Sequence, residues 1–244
     1  MSAVNIFATS RRILLQLRHD PRTIAMMLFI PSLLMTLLRF VLNSTFAFDH
    51  AAPSLLALFP FSMMFIITSI TVLRERTTTT LERLMTMPIA KIDLLLGYAI
   101  AFGLITIAQV ALVCALSLTW LGLSVSGPVA LLILIALLDA LLGMALGLFA
   151  SAFARSEFQA VQFMPLIVMP QILLCGLFVP RSQMATALQW ISDVMPLSYA
   201  VDALDKVTAS TRIDGAVVGD LVVVAGCMVA ALALGAATLP RRTG

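Results

Sequence analysis

Long apolar runs separated by short polar stretches make up most of the sequence. A hydrocarbon core of ~30 Å needs ~20 apolar residues in a helix that rises 1.5 Å per residue. Six stretches meet that length, at 24–42, 55–73, 94–118, 129–154, 161–179 and 216–239. None shows the period-two alternation of an outer-membrane barrel strand. Backbone groups in lipid must be satisfied within their own segment, so each run is predicted to be a transmembrane α-helix. The expected fold class is all-α: one polytopic membrane domain over 1–244 with six transmembrane helices.

Three polar or mixed stretches add shorter elements. Over residues 3 to 17, Ala3, Ile6, Phe7, Ile13, Leu14 and Leu17 recur at spacings of three and four, opposite Asn5, Thr9, Arg12 and Gln16. That pattern predicts an amphipathic helix within an interfacial segment 3–22, its arginines toward lipid phosphates. Asp20-Pro21 breaks it before the first span. The plainer reading is a basic tail that only enforces topology. Between 74 and 93, Thr79 and Glu82 form a capping box. It starts a two-turn helix with Leu81, Leu84 and Met85 on one face, Glu82 and Arg83 beside them, and a stop near Pro88. Such a helix either docks into a groove on a partner or is a solvated connector resting on the bundle. The residues alone leave both open.

After the fifth span, Met184, Ala187, Leu188, Ile191, Val194 and Met195 make an apolar stripe that ends at Pro196, and Leu197, Val201 and Leu204 make a second. Two short helices bent at Pro196, on or dipping into the outer leaflet, are expected to form an outer gate. The alternative is a folded surface loop.

Composition narrows the class. Of 244 residues, 61% are hydrophobic and only 11% charged, against about 25% charged in soluble domains; mean hydropathy is +1.07. An ordinary soluble enzyme, a nucleic-acid-binding domain and a disordered chain are excluded. The net charge of +3 matters less than where the charges fall. Eleven basic residues lie before the first span, after the second and fourth, and in the C-tail, whereas Arg181, Lys206 and Arg212 are the three on the other side. Short cytoplasmic segments accumulate Lys and Arg, so both termini are expected in the cytoplasm of a cell-membrane protein. No cleaved signal peptide is expected, because the first apolar run starts late and no small-x-small site follows it. Asn43-Ser44-Thr45 matches a glycosylation pattern but abuts a span, and is read as a chance match. Cys114, Cys175 and Cys227 all fall in predicted spans and read as packing residues.

Reactive constellations are missing. The sequence has no GxxxxGK[ST] phosphate loop, no HExxH, and no histidine inside a span, since His19 and His50 both lie outside. Gly122-Leu-Ser124 lacks the closing glycine of a nucleophile elbow. No catalytic, metal-binding or cofactor-binding residue is therefore assigned, and movement of a substrate is expected instead of chemistry on it.

Only Arg39, Asp139 and Asp220 are charged within the spans, where insertion costs ~2.5–3.5 kcal/mol per charge. Asp220 opens the last span, where a helix N-terminus favours an anion. Arg39 lies near the outer end of the first span and can snorkel. Asp139 sits ten residues into the fourth span, at ~15 Å depth, with Arg39 as one candidate partner. Asp139, Arg39, Gln109 and Gln171 are the candidate substrate-path residues, with Gln162 a further polar group; for Asp139 a structural hydrogen-bonding role is the alternative. Gly143-x-x-x-Gly147 and Gly215-x-x-x-Gly219 are candidate sites of close helix approach. Pro165 and Pro170 predict a bend in the fifth span.

Several fragments fall in a fixed order. They are Arg74-Glu75-Arg76, Thr80-Leu81-Glu82-Arg83-Leu84, Met87-Pro88-Ile89 and Leu94-Leu95-Leu96-Gly97-Tyr98, then Gly147-Leu148-Phe149, Ala154-Arg155-Ser156-Glu157-Phe158 and Pro165. Leu174-Cys175-Gly176-Leu177-Phe178-Val179-Pro180, Trp190-Ile191, and the run from Met195-Pro196 through Tyr199 to Asp202-Ala203-Leu204 complete the set. In this order they resemble the permease subunits of type-2 ABC exporters. The sequence departs from the family pattern at Tyr98, where a basic residue is frequent, at Lys206, which comes late, and in the run Thr77 to Thr80.

The resemblance implies that Thr79, Leu81, Glu82, Arg83, Leu84, Met85 and Pro88 form the coupling element that docks on a separate ATPase. It makes the N-terminal helix similar to the connecting helix of such exporters. Phe178, Pro180, Pro196 and Tyr199 fall at the outer gate. ATP and Mg would be held by two partner ATPase subunits, and a second permease, identical or paralogous, would complete the pathway in the bilayer. By analogy with drug-resistance members, the expected cargo is lipophilic, drug-like or lipid-like, moved by alternating access. A lipid-linked glycan is the alternative cargo, and a stand-alone proton-coupled carrier using Asp139 the alternative class.

Overall fold

The computed structural model describes residues 3–77, 91–211 and 214–238, and all regular structure among them is helical. The proposed coupling residues Thr79, Leu81, Glu82, Arg83, Leu84, Met85 and Pro88 lie outside the described residues, as do Arg212 and the C-tail arginines.

The first two helices are α1 (Ala3–Arg18) and α2 (Pro21–Leu42). Asp20 separates them: its carboxylate accepts from Thr23 N at 3.2 Å and Thr23 Oγ1 at 2.6 Å, and Pro21 supplies a pre-set φ at the first helical position. Burial along α1 keeps Ile13 and Leu17 of the predicted face and adds Thr9 and Ser10, whereas Phe7 is exposed. The cause is Gly97 in α4 (Lys91–Thr119): a Cβ there would lie 2.6 Å from Thr9 Cβ and Cγ2. The missing side chain seats α1 on α4 through a small polar residue instead of a large apolar one.

The second span is longer than its apolar run. Helix α3 covers Thr45–Thr77, 33 residues, because Ser44 caps its start, its Oγ accepting from Ala47 N at 3.4 Å and its carbonyl from Phe48 N at 3.0 Å. The fourth span, α5 (Val129–Ala150), stops four residues short of the predicted end. There Ser151 Oγ bonds Leu148 O at 2.6 Å and the chain turns through Ala152 and Phe153.

The fifth span is displaced from 161–179. It runs as α6 (Glu157–Phe163), a π-helical stretch Met164–Val168, and α7 (Met169–Leu174). Ser156 Oγ accepts from Gln159 N at 3.2 Å and fixes the early start. Pro165 lies within the π stretch and Pro170 two residues after it; neither has the N–H of a regular ladder, which accounts for the irregular turn. Gly176, at φ +105°, ends the span five residues early. After a 3-10 turn (Arg181–Gln183) come α8 (Thr186–Val194) and α9 (Pro196–Ala209), divided at Pro196 as the two stripes predict, and then α10 (Gly215–Ala237). Six helices among the described residues are long and apolar enough to cross a membrane.

The core forms where α3 crosses α5. A Cβ at Gly143 would stand 2.4 Å from Phe61 O, and one at Gly147 2.5 Å from Phe65 O, so backbone lies directly on backbone. Gly215 and Gly219 show the contrast: among the described residues nothing lies within 4 Å of a Cβ at either, so the second glycine pair makes no close approach there. Helix α9 is no surface loop. Leu197, Val201 and Leu204 are buried against α3, α5 and α10. Helix α8 instead exposes Trp190 and Val194 at 71% and 81%, so of the two it is the one that presents an apolar surface outward.

Candidate functional site

At the end of the bundle that carries α1, the last turns of α3 meet α1 and α4 around Glu75. Its carboxylate is 9% exposed as a residue and accepts from Arg12 Nη2 at 2.9 Å and from the Tyr98 hydroxyl. With its amide oriented to satisfy both ends, Gln16 donates to Glu75 Oε1 at 2.9 Å and accepts from Arg12 Nη1 at 3.3 Å. Burial pulls the Arg12 guanidinium down, but the adjacent Glu75 carboxylate outweighs it and the net direction is upward. Arg12 thus faces protein, not lipid phosphate as the helical pattern predicted. The departure at Tyr98 is accommodated in the same way: a neutral donor serves Glu75, and α1 supplies the cation.

One residue before Glu75, Arg74 makes a bidentate pair with Glu157 of α6, at 2.9 and 3.2 Å. Both side chains are more than half exposed, so this pair is the weaker of the two. Between the two pairs opens a cavity of about 540 Å³, walled by Ile13, Leu17, Met26, Ile67 and Ile70 and rimmed by Asp20, Thr23, Glu75 and Glu157. Four helices therefore converge on the final turns of α3, directly before the segment that holds the proposed coupling residues.

The candidate path residues make no hydrogen bond to one another among the described residues. Asp139 is fully buried, and neither oxygen has a hydrogen-bond partner among the described residues. It lies one turn before Gly143, on the helix that presses on α3. Arg39 is not its partner: Arg39 Nε donates to Leu121 O at 3.2 Å and its guanidinium lies 5.7 Å from the centre of the Phe48 ring. Gln109 Nε2 donates to Met27 O at 2.7 Å and ties α4 to α2. Gln171 Nε2 donates to Ile167 O at 3.0 Å, inside the π stretch, and its Oε1 accepts from Leu197 N at 3.3 Å. Gln171 thereby joins the bend of the fifth span to the first turn of α9. Gln162 is exposed. Asp220, read from sequence as a simple helix-end anion, accepts from Lys206 Nζ at 3.0 Å, and Lys206 also reaches Asp202 at 2.7 Å. Burial lowers the Lys206 ammonium, the two carboxylates raise it more, and the net direction is upward.

At the opposite end of the bundle, Phe178 and Pro180 are exposed, whereas Pro196 and Tyr199 are half-buried. Tyr199 OH donates to Asp193 O at 2.7 Å, and Arg181 pairs with Asp193 and lies 5.3 Å from the Tyr199 ring centre. Beneath them, Ser192 Oγ donates to Leu174 O at 2.8 Å and lies 3.1 Å from Ser198 Oγ. These serines satisfy the carbonyl left open at the end of α7. Sequence reading missed Ser192, Ser198 and the role of Glu75; a polar residue inside an otherwise apolar stripe was the available signal for both serines. No three His, Cys, Asp or Glu among the described residues are grouped to hold a metal ion.

Comparison with known proteins gives a consistent picture. Residues 4–208 match the ABC-2 type transporter family. The chain is 25% identical over 162 residues to the ABC transporter G family member 20 of Dictyostelium discoideum, covering 66% of this chain and 22% of that protein. It is 26% identical over 155 residues to the probable multidrug ABC transporter permease YbhR of Escherichia coli K12, covering 64% and 42%. With the linearmycin resistance permease protein LnrN of Bacillus subtilis 168 it shares 26% identity over 180 residues, covering 71% and 45%. The matched region thus spans less than half the length of these relatives.

Proposed function

The chain belongs to the ABC-2 type transporter family, and from that premise we propose that it is the transmembrane permease of an ABC exporter. It moves a lipophilic, drug-like or lipid-like substrate out of the cytoplasm, and ATP with Mg is bound and hydrolysed by two separate ATPase subunits. The basic end of the bundle faces the cytoplasm of the cell membrane. A second permease completes the pathway, with its cavity between the two copies.

The observation that carries this reading is the convergence on Glu75. Arg12, Gln16 and Tyr98 bind the last turns of α3 from two other helices. A displacement of the segment after residue 77 therefore cannot move α3 alone; it carries α1 and α4 with it. Partner ATPases that close on ATP and press on Leu81, Leu84 and Met85 would shift three helices together. The α3–α5 glycine crossing passes that shift toward α9 and the outer gate.

Purification of the tagged chain from its own membrane, with and without Leu84→Asp, tests the assignment. An ATPase bearing a phosphate loop should co-purify with the natural chain and be lost from L84D. Stable transport by the reconstituted chain alone, insensitive to ATP, overturns the exporter reading. One observation favours a second reading, a proton-coupled carrier: Asp139, a buried carboxyl without a partner among the described residues, is the kind of group such a carrier would titrate. Uptake driven by a pH gradient and abolished in D139N would select it.

A further inference from the structure

Arg12 turns inward to Glu75, but the next flank of α1 does not. Phe7, Arg11, Leu14 and Arg18 follow at spacings of three and four and share one face. With Ile100 and Leu104 of α4 they line a groove of about 330 Å³. Ile100 and Leu104 are 38% and 51% exposed, and they lie one and two turns beyond Gly97, where α1 crosses α4. The apolar wall of the groove therefore continues down the span while its cationic rim stays at the end of it.

Arg11 and Arg18 are exposed and make no ion pair or hydrogen bond among the described residues. Seven residues apart, they stand ~10 Å from each other along the helix axis. A cationic rim above an apolar wall on the lipid-facing side of a span is complementary to one chemistry. We propose that this groove is a binding site for an anionic glycerophospholipid, its phosphate held between Arg11 and Arg18 and an acyl chain lying against Ile100 and Leu104. A zwitterionic lipid brings its own cation to the rim and gains less there. A free phosphate leaves the apolar wall uncovered.

The test uses the full chain purified in a neutral detergent, with phosphatidylglycerol or phosphatidylcholine added back at equal mole ratio and retained lipids counted by native mass spectrometry. Phosphatidylglycerol should be retained in preference to phosphatidylcholine by roughly thirtyfold, since each arginine near an anionic lipid contributes about 1 kcal/mol and 1.4 kcal/mol is a factor of ten. The double variant R11Q/R18Q should lose the preference, and R22Q, which lies outside the groove, should keep it. The double variant I100W/L104W fills the wall with both arginines intact and should also lose retention. Equal retention of the two lipids by the natural chain, or an undiminished preference in R11Q/R18Q, overturns the site. An undiminished preference in I100W/L104W overturns the groove, because a bare patch of surface charge would then suffice.

Discussion

Removing Glu75 from its partners is the sharpest perturbation of the proposed transmission. The Arg12–Glu75 pair has side-chain exposures of 27% and 11%, which places it between surface pairs, worth about 0–1 kcal/mol, and fully buried ones, where breaking a pair costs about 3–5 kcal/mol. A hydrogen bond to a charged group contributes about 1.5–3 kcal/mol, so a coupling of about 2 kcal/mol is expected. The measurement is a double-mutant cycle on Arg12→Gln and Glu75→Gln, read from reversible unfolding of the purified chain in mixed micelles. The Arg74–Glu157 pair supplies the control. Its bond lengths are similar, but its side chains are 60% and 52% exposed, so its coupling should fall below about 0.5 kcal/mol. Raising the salt should erase the control coupling and leave most of the Arg12–Glu75 coupling. Equal couplings for the two pairs, or an Arg12–Glu75 coupling that vanishes in salt, refute the claim that α1 is bound to α3 through this contact.

Further substitutions test other parts of the structure. Gly147→Val places side-chain atoms against Phe65 O and should destabilise the chain by about 1–3 kcal/mol in the same unfolding assay, whereas Gly219→Val, facing open space, should change it by under about 0.5 kcal/mol. Ser192→Ala removes the donor nearest Leu174 O and should cost about 1 kcal/mol, with faster proteolysis between residues 175 and 195 as the local readout. Asp20 accepts two hydrogen bonds from Thr23, which lower its pKa from the ordinary 3.8. Its contribution is therefore complete above that value and is lost as pH falls through the lower folded-state value. The thermal midpoint of Asp20→Ala should lie below that of the natural chain at neutral pH, and the gap should narrow below about pH 4; a gap independent of pH would exclude the cap.

What the sequence made legible follows the range of the forces involved. Span number and type rest on ~20-residue averages of hydropathy and were readable directly. The division of α8 from α9 rests on one local rule at Pro196 and was equally readable. Span ends depend on single side chains: Ser44 extends α3 through polar residues, Ser156 starts the fifth span early, and Gly176 ends it early. The apolar face of α1 gave Ile13 and Leu17 correctly, but the burial of Thr9 answers to Gly97, 88 residues away, and not to the helix's own periodicity. Arg39 and Asp139 illustrate the same point. Charge and span assignment made them candidate partners, but the turn at Leu121 and the Phe48 ring claim the arginine. Gln109 and Gln171 looked like path residues in an apolar context, and both turn out to hold one helix to another.

In the proposed exporter, the longest helix offers the route by which an event at one end of the bundle would be felt at the other. Thirty-three residues make α3 ~50 Å long, well beyond a ~30 Å hydrocarbon core. Its three successive stretches touch different partners: Glu75 holds α1 and α4, Phe61 and Phe65 receive the bare backbone of Gly143 and Gly147, and Ser54 Oγ reaches Asp205 of α9 at 3.4 Å. A packed glycine crossing has little slack, so axial or rocking motion of α3 must be shared by α5. The hinges available within α3 are Pro53 and Pro60, both on the far side of the Glu75 contacts. In the proposed coupling, motion begun beyond residue 77 would therefore reach the glycine crossing through an unbroken helical segment. The two prolines can convert what remains into a bend that works against α9.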